Sequence, residues 1–314
     1  MIGADDAEVK HEDSLPEGRR SVQYDDASAQ LPFVMFVLLR DFIHEKTGMY
    51  FTDQQHGVFA GKVAGLVREL AGGSALDLYH MLRAEQDNGP LMSRVVAAIT
   101  VSETWFFREI TQLRALIASV LPRLLASRDV DREPVRIWCC ACATGEEALT
   151  LAMLVESAHP EWFRHLRIVA TDINAESVAK ARMGMFRERA FRSTPEEFRT
   201  RYFRSYGDMQ IMHPDILQRV HFRHGNLLDA SLAKSMWPAD VILCRNVLIY
   251  FSDSSMVAAL RNFRSVLRDN GVLMMGSSES LQRFKLPWRL CEIDGAFMYE
   301  PIATGTGDGV QHAH

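Results

Sequence analysis

Residues 138–154 read WCCACATGEEALTLAML, and this stretch decides the fold. An apolar run ends near Cys142, a single glycine follows at Gly145, and apolar residues then recur at helical spacing from Ala148. A buried strand that turns into a helix at one glycine is typical of a parallel sheet covered by helices. Ligands of such sheets lie at the carboxyl ends of the strands, so this turn is also the first candidate binding site.

The alternation of strand and helix continues through the second half of the chain. Helical stretches at 145–158, 174–182 and 254–268 separate strand-like runs that read VRIWCC, LRIVAT, RVHFRH, DVILC and GVLMMG. This order predicts a doubly wound, mostly parallel α/β sheet of the Rossmann type. Residues 185–224 interrupt the pattern and are rich in Arg, Phe and Tyr. We expect them to form a small subdomain inserted between the second and third strands.

A helical region precedes the sheet. Four short stretches between Pro32 and Thr100 have apolar residues at helical spacing, with Gly48 placed to end the first helix and Ser74 to cap the third. These stretches predict a small N-terminal all-α domain. The predicted division of the chain is a helical domain at 31–107, a connecting helix and linker at 108–134, a sheet domain at 135–302, and disordered segments at 1–30 and 303–314.

The net charge of −5 is concentrated at the N-terminus. Residues 1–30 contain eight acidic and three basic side chains, so the rest of the chain is close to neutral. A neutral body gives no electrostatic reason to expect a nucleic acid as the partner. No apolar run reaches the roughly 18 residues that a membrane span needs, and no signal-peptide pattern is present. We therefore expect a cytoplasmic protein that is not inserted in a membrane.

The cysteines do not form a recognisable metal or disulfide pattern. Three of the five crowd into one apolar stretch, and no pair of CxxC motifs is present. We expect reduced, mostly buried thiols and no metal site. The five are Cys139, Cys140, Cys142, Cys244 and Cys291.

The turn after the first strand constrains the cofactor. A dinucleotide site is expected to carry three glycines in a GxGxxG pattern, because the pyrophosphate lies against the backbone. Only Gly145 is present, and the acidic Glu146 and Glu147 follow it directly. Two carboxylates would repel a pyrophosphate but suit a ligand with a cationic end, such as the amino group of S-adenosylmethionine.

Asp172 closes the second predicted strand, in the segment VATDIN. A carboxylate at this position can accept hydrogen bonds from both hydroxyls of a ribose. Enzymes of NAD, FAD and S-adenosylmethionine share this feature, and Asp172 could equally be the N-cap of the next helix. In combination with the acidic turn, it favours S-adenosylmethionine.

The ends of later strands carry further polar candidates. Asn226 and Leu227, after the third strand, could hydrogen-bond the edge of an adenine and cover its face. Arg245 and Asn246, at the end of the fourth strand, would direct polar groups into the cleft. A structural salt bridge is the alternative role for Arg245, because a buried arginine needs a charged partner. Tyr250 is either a site residue or part of the core.

Six segments in a fixed order together resemble the CheR family, the S-adenosylmethionine-dependent protein-glutamate O-methyltransferases that modify bacterial chemoreceptors. The resemblance covers about 33–300 and implies a helical N-terminal domain, a methyltransferase sheet and a small β-subdomain inserted in that sheet. The segments are TVSETWFFRE (100–109), WCCACATGEEALTLAM (138–153), ATDINAESVAKARMGMF (170–186), GNLLD (225–229), CRNVLIYF (244–251) and GVLMMGSSES (271–280).

The resemblance also implies roles for individual residues. It implies contacts of Glu146 with the methionyl amino group, of Asp172 with the ribose, and of Asn226 with the adenine region. The predicted cofactor-binding set is Ser102, Thr104, Arg108, Gly145, Glu146, Asp172, Asn226, Leu227, Arg245 and Asn246. The predicted catalytic residues are Tyr250 and Arg245.

Several positions depart from the family pattern. Ser102 stands where asparagine is common, Ala143 where serine is common, and residues 148–150 read ALT instead of Pro-Tyr-Ser. The helix around 60–71 has only Lys62 and Arg68, whereas the family's helix is more basic. These departures leave open a catalytically weak S-adenosylmethionine-binding signalling module. A small-molecule or RNA methyltransferase on the same sheet is a further alternative.

The leading hypothesis is methyl transfer from S-adenosylmethionine to glutamate side chains of a methyl-accepting chemotaxis protein, giving a glutamate methyl ester and S-adenosylhomocysteine. The implied partner is the set of cytoplasmic helices of that receptor, with recruitment to membrane receptor arrays. Because a glutamate carboxylate is already ionised at pH 7, no general base is needed. We expect Arg245→Ala to weaken cofactor or substrate binding more than it slows the chemistry.

Overall fold

A computed structural model describes residues 31–86, 89–236 and 238–302. The segments predicted to be disordered, 1–30 and 303–314, lie outside the described residues. Within the described ranges, no helix is both long and apolar enough to cross a membrane.

The N-terminal region consists of helices around one apolar core. Gly48 ends the first helix with a φ angle of 79°, and the side chain of Ser74 accepts a hydrogen bond from the Asp77 N–H at the start of the third. Both predicted helix boundaries are confirmed. Phe36, Phe59 and other buried side chains of the four helices form the core. The helices are α1 (Phe33–Thr47), α2 (His56–Leu70), α3 (Ala75–Ala84) and α4 (Pro90–Ile99).

A further helix connects this region to the sheet. It runs as α5 (Ile110–Ala115), a π-helical turn (Leu116–Val120) and α6 (Leu121–Ala126). Its apolar face belongs to the core on one side of the sheet. The helix therefore fixes the segment 100–109, which precedes it, against the sheet.

The strands of the sheet domain and of its insertion are β1 (Val135–Cys140), β2 (Leu166–Asp172), β3 (Met185–Arg187), β4 (Phe203–Tyr206), β5 (Met209–Met212), β6 (Val220–His224), β7 (Ala239–Cys244), β8 (Leu267–Met275), β9 (Trp288–Ile293) and β10 (Ala296–Pro301). Seven of them form a mostly parallel sheet in the order β6-β2-β1-β7-β8-β10-β9, as the doubly wound prediction requires. The strand pairs β8–β10 and β10–β9 are antiparallel, and the other pairs are parallel.

Helices cover both faces of this sheet. Alternate side chains of β1 face opposite cores, with Ile137 and Cys139 on one side and Trp138 and Cys140 on the other. The strand order reverses between β1 and β7, which is where ligands of doubly wound sheets bind. The helices of this domain are α7 (Glu146–Ala158), α8 (Ala175–Met183), α9 (Glu196–Tyr202), α10 (Pro214–Leu217), α11 (Ala230–Ser235) and α12 (Asp253–Val266).

The inserted segment contains a small antiparallel sheet in the order β3-β5-β4. An aromatic cluster attaches it to the main sheet domain, with the Phe106 ring centroid 4.8 Å from that of Phe186 and 5.0 Å from that of Phe203. The predicted insertion, 185–224, extends too far, because Val220 already begins β6 in the main sheet. The run RVHFRH, residues 219–224, is also predicted to be strand-like, so the predicted insertion overlaps a strand that the structure confirms.

Candidate functional site

Two adjoining cavities lie at the carboxyl ends of the parallel strands. The central cavity is bordered by six residues predicted from the sequence: Ser102, Asp172, Asn226, Leu227, Asn246 and Tyr250. The side groove has a volume of about 970 Å³ and lies between α8, the inserted sheet and the segment that precedes α5. Ser102 borders both, so the two spaces meet at this residue.

The turn between β1 and α7 has an uncommon backbone. Ala141, Ala143 and Gly145 have φ angles of 49°, 47° and 95°, so left-handed residues alternate along the turn. A Cβ atom at Gly145 would lie 2.8 Å from the Phe222 ring, so this position requires a glycine. Ala141 and Ala143 border the central cavity, whereas Gly145 packs against Phe222 and precedes α7. The single glycine therefore shapes the turn.

Asp172 is fixed at the wall of the central cavity by two backbone groups. Its Oδ2 accepts a hydrogen bond from the Ala143 N–H at 2.8 Å, and its Oδ1 accepts one from the Asn174 N–H at 2.7 Å. The helix cap is made by Asn174, whose side chain accepts from the N–H groups of Glu176 and Ser177. Burial raises the pKa of Asp172, and the two N–H groups oppose that effect. Each oxygen retains a lone pair for a ligand diol.

Glu146 is buried without a cationic partner. Its carboxylate is reached by the Thr144 hydroxyl, 2.9 and 2.7 Å from the two oxygens, and it borders the side groove. No lysine, arginine or histidine of the described ranges lies within ion-pair distance of it. Burial raises the pKa of Glu146 to about 7, although the Thr144 hydroxyl and the charge of Arg189 act in the opposite direction. The ammonium of a ligand would compensate this buried carboxylate.

Asn226 and Leu227 reach the central cavity from the turn after β6. The Asn226 side chain accepts from the Leu228 N–H at 3.0 Å and donates to the Lys46 carbonyl at 2.7 Å. One amide hydrogen and one lone pair remain for a ligand. Lys46 lies in α1. The helical N-terminal region therefore helps to position Asn226, a residue that the sequence analysis assigned to the cofactor.

The last residue of α1 and a residue shortly after it form part of the same wall. Thr47 and Met49 border the central cavity. Met49 forms an antiparallel bridge with Phe251, and the Tyr50 N–H donates to the Tyr250 carbonyl at 2.9 Å. Sequence reasoning missed these residues, because helical periodicity in α1 does not say which distant loop its end will meet.

One carboxylate fixes the loop after β7. Glu279 Oε2 accepts from the N–H groups of Asn246 and Gly276 at 2.9 and 2.8 Å, and Oε1 accepts from those of Val247 and Leu248 at 3.0 and 2.8 Å. These bonds hold Asn246 in a left-handed conformation with a φ of 60°. The sequence analysis quoted Glu279 within GVLMMGSSES and gave it no role. An acidic residue shortly after a predicted strand is the signal that could have found it.

The expectation that the Arg245 guanidinium points into the cleft is wrong, because the guanidinium is paired inside the protein. The side chain is 1% exposed, and Nη1 donates to Glu147 at 2.8 Å. Nη2 donates to the carbonyls of Arg108 and Glu109, each at 3.1 Å. Although burial acts to raise the pKa of Glu109, Arg245 and neighbouring hydrogen bonds lower it overall. The salt bridge considered as the alternative is what the structure contains.

These ion-paired groups form one arginine cluster, made of Arg245, Glu147, Glu109 and Asn246. Asn246 Nδ2 donates to Glu109 at 3.3 Å, and Asn246 also borders the central cavity. The physical reason for the cluster is that a guanidinium at the end of a buried strand needs carboxylate partners. Glu147 lies in the first turn of α7 and provides one. Arg245 thus acts on the cavity through Asn246 and the backbone at 108–109.

The segment TVSETWFFRE follows the edges of both cavities. Thr104 borders the side groove, and Ser102 lies where the cavities meet. The Arg108 guanidinium lies over Trp105, 4.5 Å from the ring centroid, and donates to the Glu103 carbonyl at 3.2 Å. The structure therefore brings Ser102 and Thr104 to the cavities, whereas the Arg108 side chain folds back on its own segment.

The departures from the family pattern have separate environments. Ala148, Leu149 and Thr150 are fully buried or nearly so, and the Thr150 hydroxyl donates to the Glu146 carbonyl at 2.6 Å. These three side chains contribute to the core under the turn. Ala143 borders the central cavity but acts through its N–H group, which any residue other than proline provides. The departures therefore leave the carboxylates of the site in place.

Metal ligands do not cluster in the part of the chain that the structure describes. No group of three or more His, Cys, Asp or Glu residues there could hold a metal ion. The five cysteines are free thiols, and burial raises the pKa of Cys139, Cys140 and Cys142 well above the usual range. Buried thiols with a raised pKa are poor nucleophiles.

Comparisons with known proteins identify relatives of the chain. A family model described as CheR methyltransferase, SAM binding domain, matches residues 102–296. Chemotaxis protein methyltransferase 2 of Vibrio cholerae serotype O1 is 34% identical over 251 residues, covering 79% of this chain and 86% of that protein. Chemotaxis protein methyltransferase 1 of Pseudomonas aeruginosa is 30% identical over 272 residues, covering 84% and 96%. The solved structure of DszA carbon methyltransferase is 17% identical and covers 79% of this chain and 48% of its own, with a TM-score of 0.37.

The matched range divides the wall of the central cavity into two parts. Residues from Ser102 to Phe251 lie inside the family match, whereas Thr47, Met49 and Thr100 precede it. The helical N-terminal region therefore adds residues to a cavity whose other wall belongs to the matched domain.

Proposed function

We propose, because this chain belongs to the CheR methyltransferase family, that it transfers a methyl group from S-adenosylmethionine to glutamate side chains of a bacterial chemoreceptor. The chain is an S-adenosylmethionine-dependent enzyme of the chemotaxis protein methyltransferase type. The products are a glutamate methyl ester and S-adenosylhomocysteine. Within the structure, the proposal depends most on one observation: Asp172 and Glu146 are buried carboxylates that border the two adjoining cavities.

The residues present fit S-adenosylmethionine. Asp172 is held by two N–H groups and keeps lone pairs for the two ribose hydroxyls. Glu146 is a buried acid that lacks a cation, and the ligand has an ammonium group to pair with it. Asn226 and Leu227 offer an amide and an apolar surface to the adenine.

Bound S-adenosylmethionine supplies a methyl group on a sulfonium, which a substrate carboxylate oxygen takes as the sulfur–methyl bond breaks. The substrate glutamate has an ordinary pKa of about 4.3, so it is ionised at pH 7 and needs no general base. The chain's contribution is therefore alignment of the reactants. Alignment can supply on the order of 7–11 kcal/mol of the barrier.

The residues of the loop after β7 are the ones we assign to alignment. Tyr250 and Asn246 border the central cavity, and the Glu279 carboxylate fixes their loop. Arg245 is a positioning residue. Its guanidinium contacts the backbone at 108–109 and the side chain of Glu109, and Glu109 in turn accepts a hydrogen bond from Asn246. Arg245 is therefore no longer assigned to direct catalysis.

The protein substrate in this proposal is the set of cytoplasmic helices of a methyl-accepting chemotaxis protein. The enzyme would meet them in the cytoplasm, at membrane receptor arrays, without inserting in the membrane itself. We assign the entry of the target side chain to the region of Ser102, because this residue borders both cavities.

The test is transfer of radiolabelled methyl from S-adenosylmethionine to purified chemoreceptor cytoplasmic fragments. Glutamate methyl esters release their label as volatile methanol in alkali. We expect alkali-labile label with the wild-type protein and a large loss with Asp172→Ala. Transfer of alkali-stable label, or no transfer to any receptor fragment despite measurable binding of S-adenosylhomocysteine, would contradict the proposal.

A further inference from the structure

The side groove carries a cluster of cationic side chains next to the central cavity. Lys180 projects from α8, Arg187 from β3, and Arg189 and Arg192 from the turn that follows β3. All four are exposed and border the groove. Ser102 borders both the groove and the central cavity, so these cations line a groove that adjoins the site.

Three of these cations make no direct ion pair with an acid of the described residues, although the charge of Arg189 acts on the buried Glu146. Lys180, Arg187 and Arg189 have no hydrogen bond or salt bridge with the residues that the structure describes. Arg192 differs, because it pairs with Glu103 at 3.1 Å. Glu146 also borders the groove but is buried in its wall. The exposed charge of the groove is therefore positive.

The helix α2 does not carry a comparable charge. Lys62 is half-buried, and burial lowers its pKa. Arg68 is exposed beside Glu69, which itself pairs with Arg94 at 2.6 Å. Of these two surfaces, the side groove therefore carries more unpaired positive charge.

We infer that the side groove binds acidic side chains that flank the target glutamate on the substrate helix. This inference rests on the proposed function, because the target carboxylate must enter the adjoining central cavity. Side chains three or four positions apart lie on one face of a helix, about 5–6 Å from each other. Acids at those positions would meet Lys180, Arg187 and Arg189 while the target glutamate occupies the site. Such complementary charge chiefly fixes register and speeds association.

The variant that tests the groove is Lys180→Glu combined with Arg187→Glu. Both side chains are exposed and lack protein partners, so the fold has little reason to change. A matched control reverses two other exposed, unpaired arginines, Arg114→Glu with Arg261→Glu, on α5 and α12. Both variants change the net charge by the same amount. We expect the groove variant to raise KM for a receptor fragment about tenfold or more, and the control to stay within about twofold.

A binding measurement separates this inference from the proposed function. The probe is a fluorescent helical peptide with glutamates at i, i+3 and i+4, compared with the same peptide carrying glutamines. We expect the wild-type protein to bind the glutamate peptide more tightly, with an affinity that falls as salt rises and is lost in the groove variant. Affinity for S-adenosylhomocysteine should change less than about twofold, because neither substituted residue borders the central cavity or makes a hydrogen bond or ion pair with Glu146.

Each outcome bears on one claim. Methylation of the receptor with an unchanged KM in the groove variant would overturn the inference and leave the proposed function standing. No methylation, with charge-dependent peptide binding that the variant loses, would support the groove as an acidic-helix site and count against the proposed function. Equal binding of both peptides, or binding of anionic lipid vesicles in their place, would overturn the inference.

Discussion

Glu146 and Glu147 are neighbours in the sequence but lie in opposite kinds of environment. Glu146 borders the side groove, and the Thr144 hydroxyl is its side-chain partner. Glu147 makes an ion pair of 2.8 Å with Arg245, whose side chain is 1% exposed. One carboxylate is thus available to a ligand, whereas the other holds α7 to the end of β7.

The same difference sorts the other acids around the site. Asp172 resembles Glu146, because it borders a cavity and keeps unused lone pairs. Glu109 and Glu279 resemble Glu147, because their oxygens are occupied by donors of the protein. Several acids can therefore lie at one edge of a sheet and have different roles. A carboxylate whose oxygens are already occupied by donors of the protein is structural, whereas one with unused lone pairs at a cavity is assigned to a ligand.

The largest expected effect comes from breaking the arginine cluster. Arg245→Ala leaves the partly exposed Glu147 and Glu109 without their buried cation, so we expect it to lower the free energy of unfolding by about 3 kcal/mol, the lower end of the range for a broken buried ion pair. Chemical denaturation measures this change. The exposed Arg261→Ala is the control and should change stability by less than about 0.5 kcal/mol.

This outcome would replace the expectation from sequence, in which Arg245→Ala mainly weakens binding. A variant with wild-type stability and weak binding of S-adenosylhomocysteine would instead place the guanidinium at the ligand.

The next effect concerns the carboxylate assigned to the ribose. Asp172→Asn removes a charged acceptor, and hydrogen bonds to charged groups contribute about 1.5–3 kcal/mol. Binding of S-adenosylhomocysteine should therefore weaken by about tenfold to a hundredfold in calorimetric titration. The loss of stability of the ligand-free protein should be smaller than that of Arg245→Ala. The reverse order of the two effects would remove the distinction between ligand acids and structural acids.

The raised pKa of Glu146 predicts that the affinity for S-adenosylhomocysteine depends on pH, which tests the assignment of this carboxylate to the ligand. Its pKa of about 7 lies above the ordinary value, so in the ligand-free protein its contribution to stability is full below about pH 4.5 and is lost as the pH rises through 7. The ligand-free protein favours the protonated form of Glu146, whereas a ligand ammonium favours the ionised form, because it pairs with the carboxylate. Since the ionised fraction rises from about 0.1 at pH 6 to about 0.9 at pH 8, affinity for S-adenosylhomocysteine should rise about tenfold.

The matched variant for this prediction is Glu146→Gln, which cannot ionise. Its affinity for S-adenosylhomocysteine should be weak and nearly constant between pH 6 and pH 8. A slope equal to that of the wild-type protein would assign the pH dependence to another group.

The smallest effect tests the wall that the N-terminal region contributes. Met49→Ala removes an apolar contact at the central cavity, and we expect about fivefold weaker binding of S-adenosylhomocysteine, equivalent to about 1 kcal/mol. Met92→Ala is the control, because Met92 is equally buried in the same helical core but does not border the central cavity. Equal affinity losses in both variants would mean that the region acts only through its stability.

The sequence predicted the parts of the site that depend on strand order. The carboxyl ends of β1, β2, β6 and β7 meet at one edge, so the residues after those strands had to lie close together. Asp172, Asn226 and Asn246 were found in this way. The S-adenosylmethionine-binding fold is confirmed by the family match and the sheet order.

The sequence could not predict which way a side chain points at the end of a strand, nor which distant segments of the chain contact the site. A residue at a strand end can face either the cavity or the protein, and Arg245 faces the protein because Glu147 offers a partner there. The left-handed backbone at Ala141 and Ala143 is not marked by glycine. Met49 and Glu279 reach the site from other parts of the chain, and no local pattern announces such contacts.

The most direct test is thermal unfolding of Glu146→Gln and Glu147→Gln, each with and without saturating S-adenosylhomocysteine. At a fixed ligand concentration, a ligand that binds only the folded state raises the unfolding temperature more when it binds more tightly, because the stabilisation grows with the logarithm of the ligand concentration divided by Kd. We predict that Glu146→Gln, without ligand, unfolds at or above the wild-type temperature, because it removes a buried carboxylate, and that it loses most of the rise with ligand. Glu147→Gln should unfold at a lower temperature without ligand and keep the rise. If the two variants exchange these behaviours, or lose both properties together, the division between ligand and structural carboxylates is wrong.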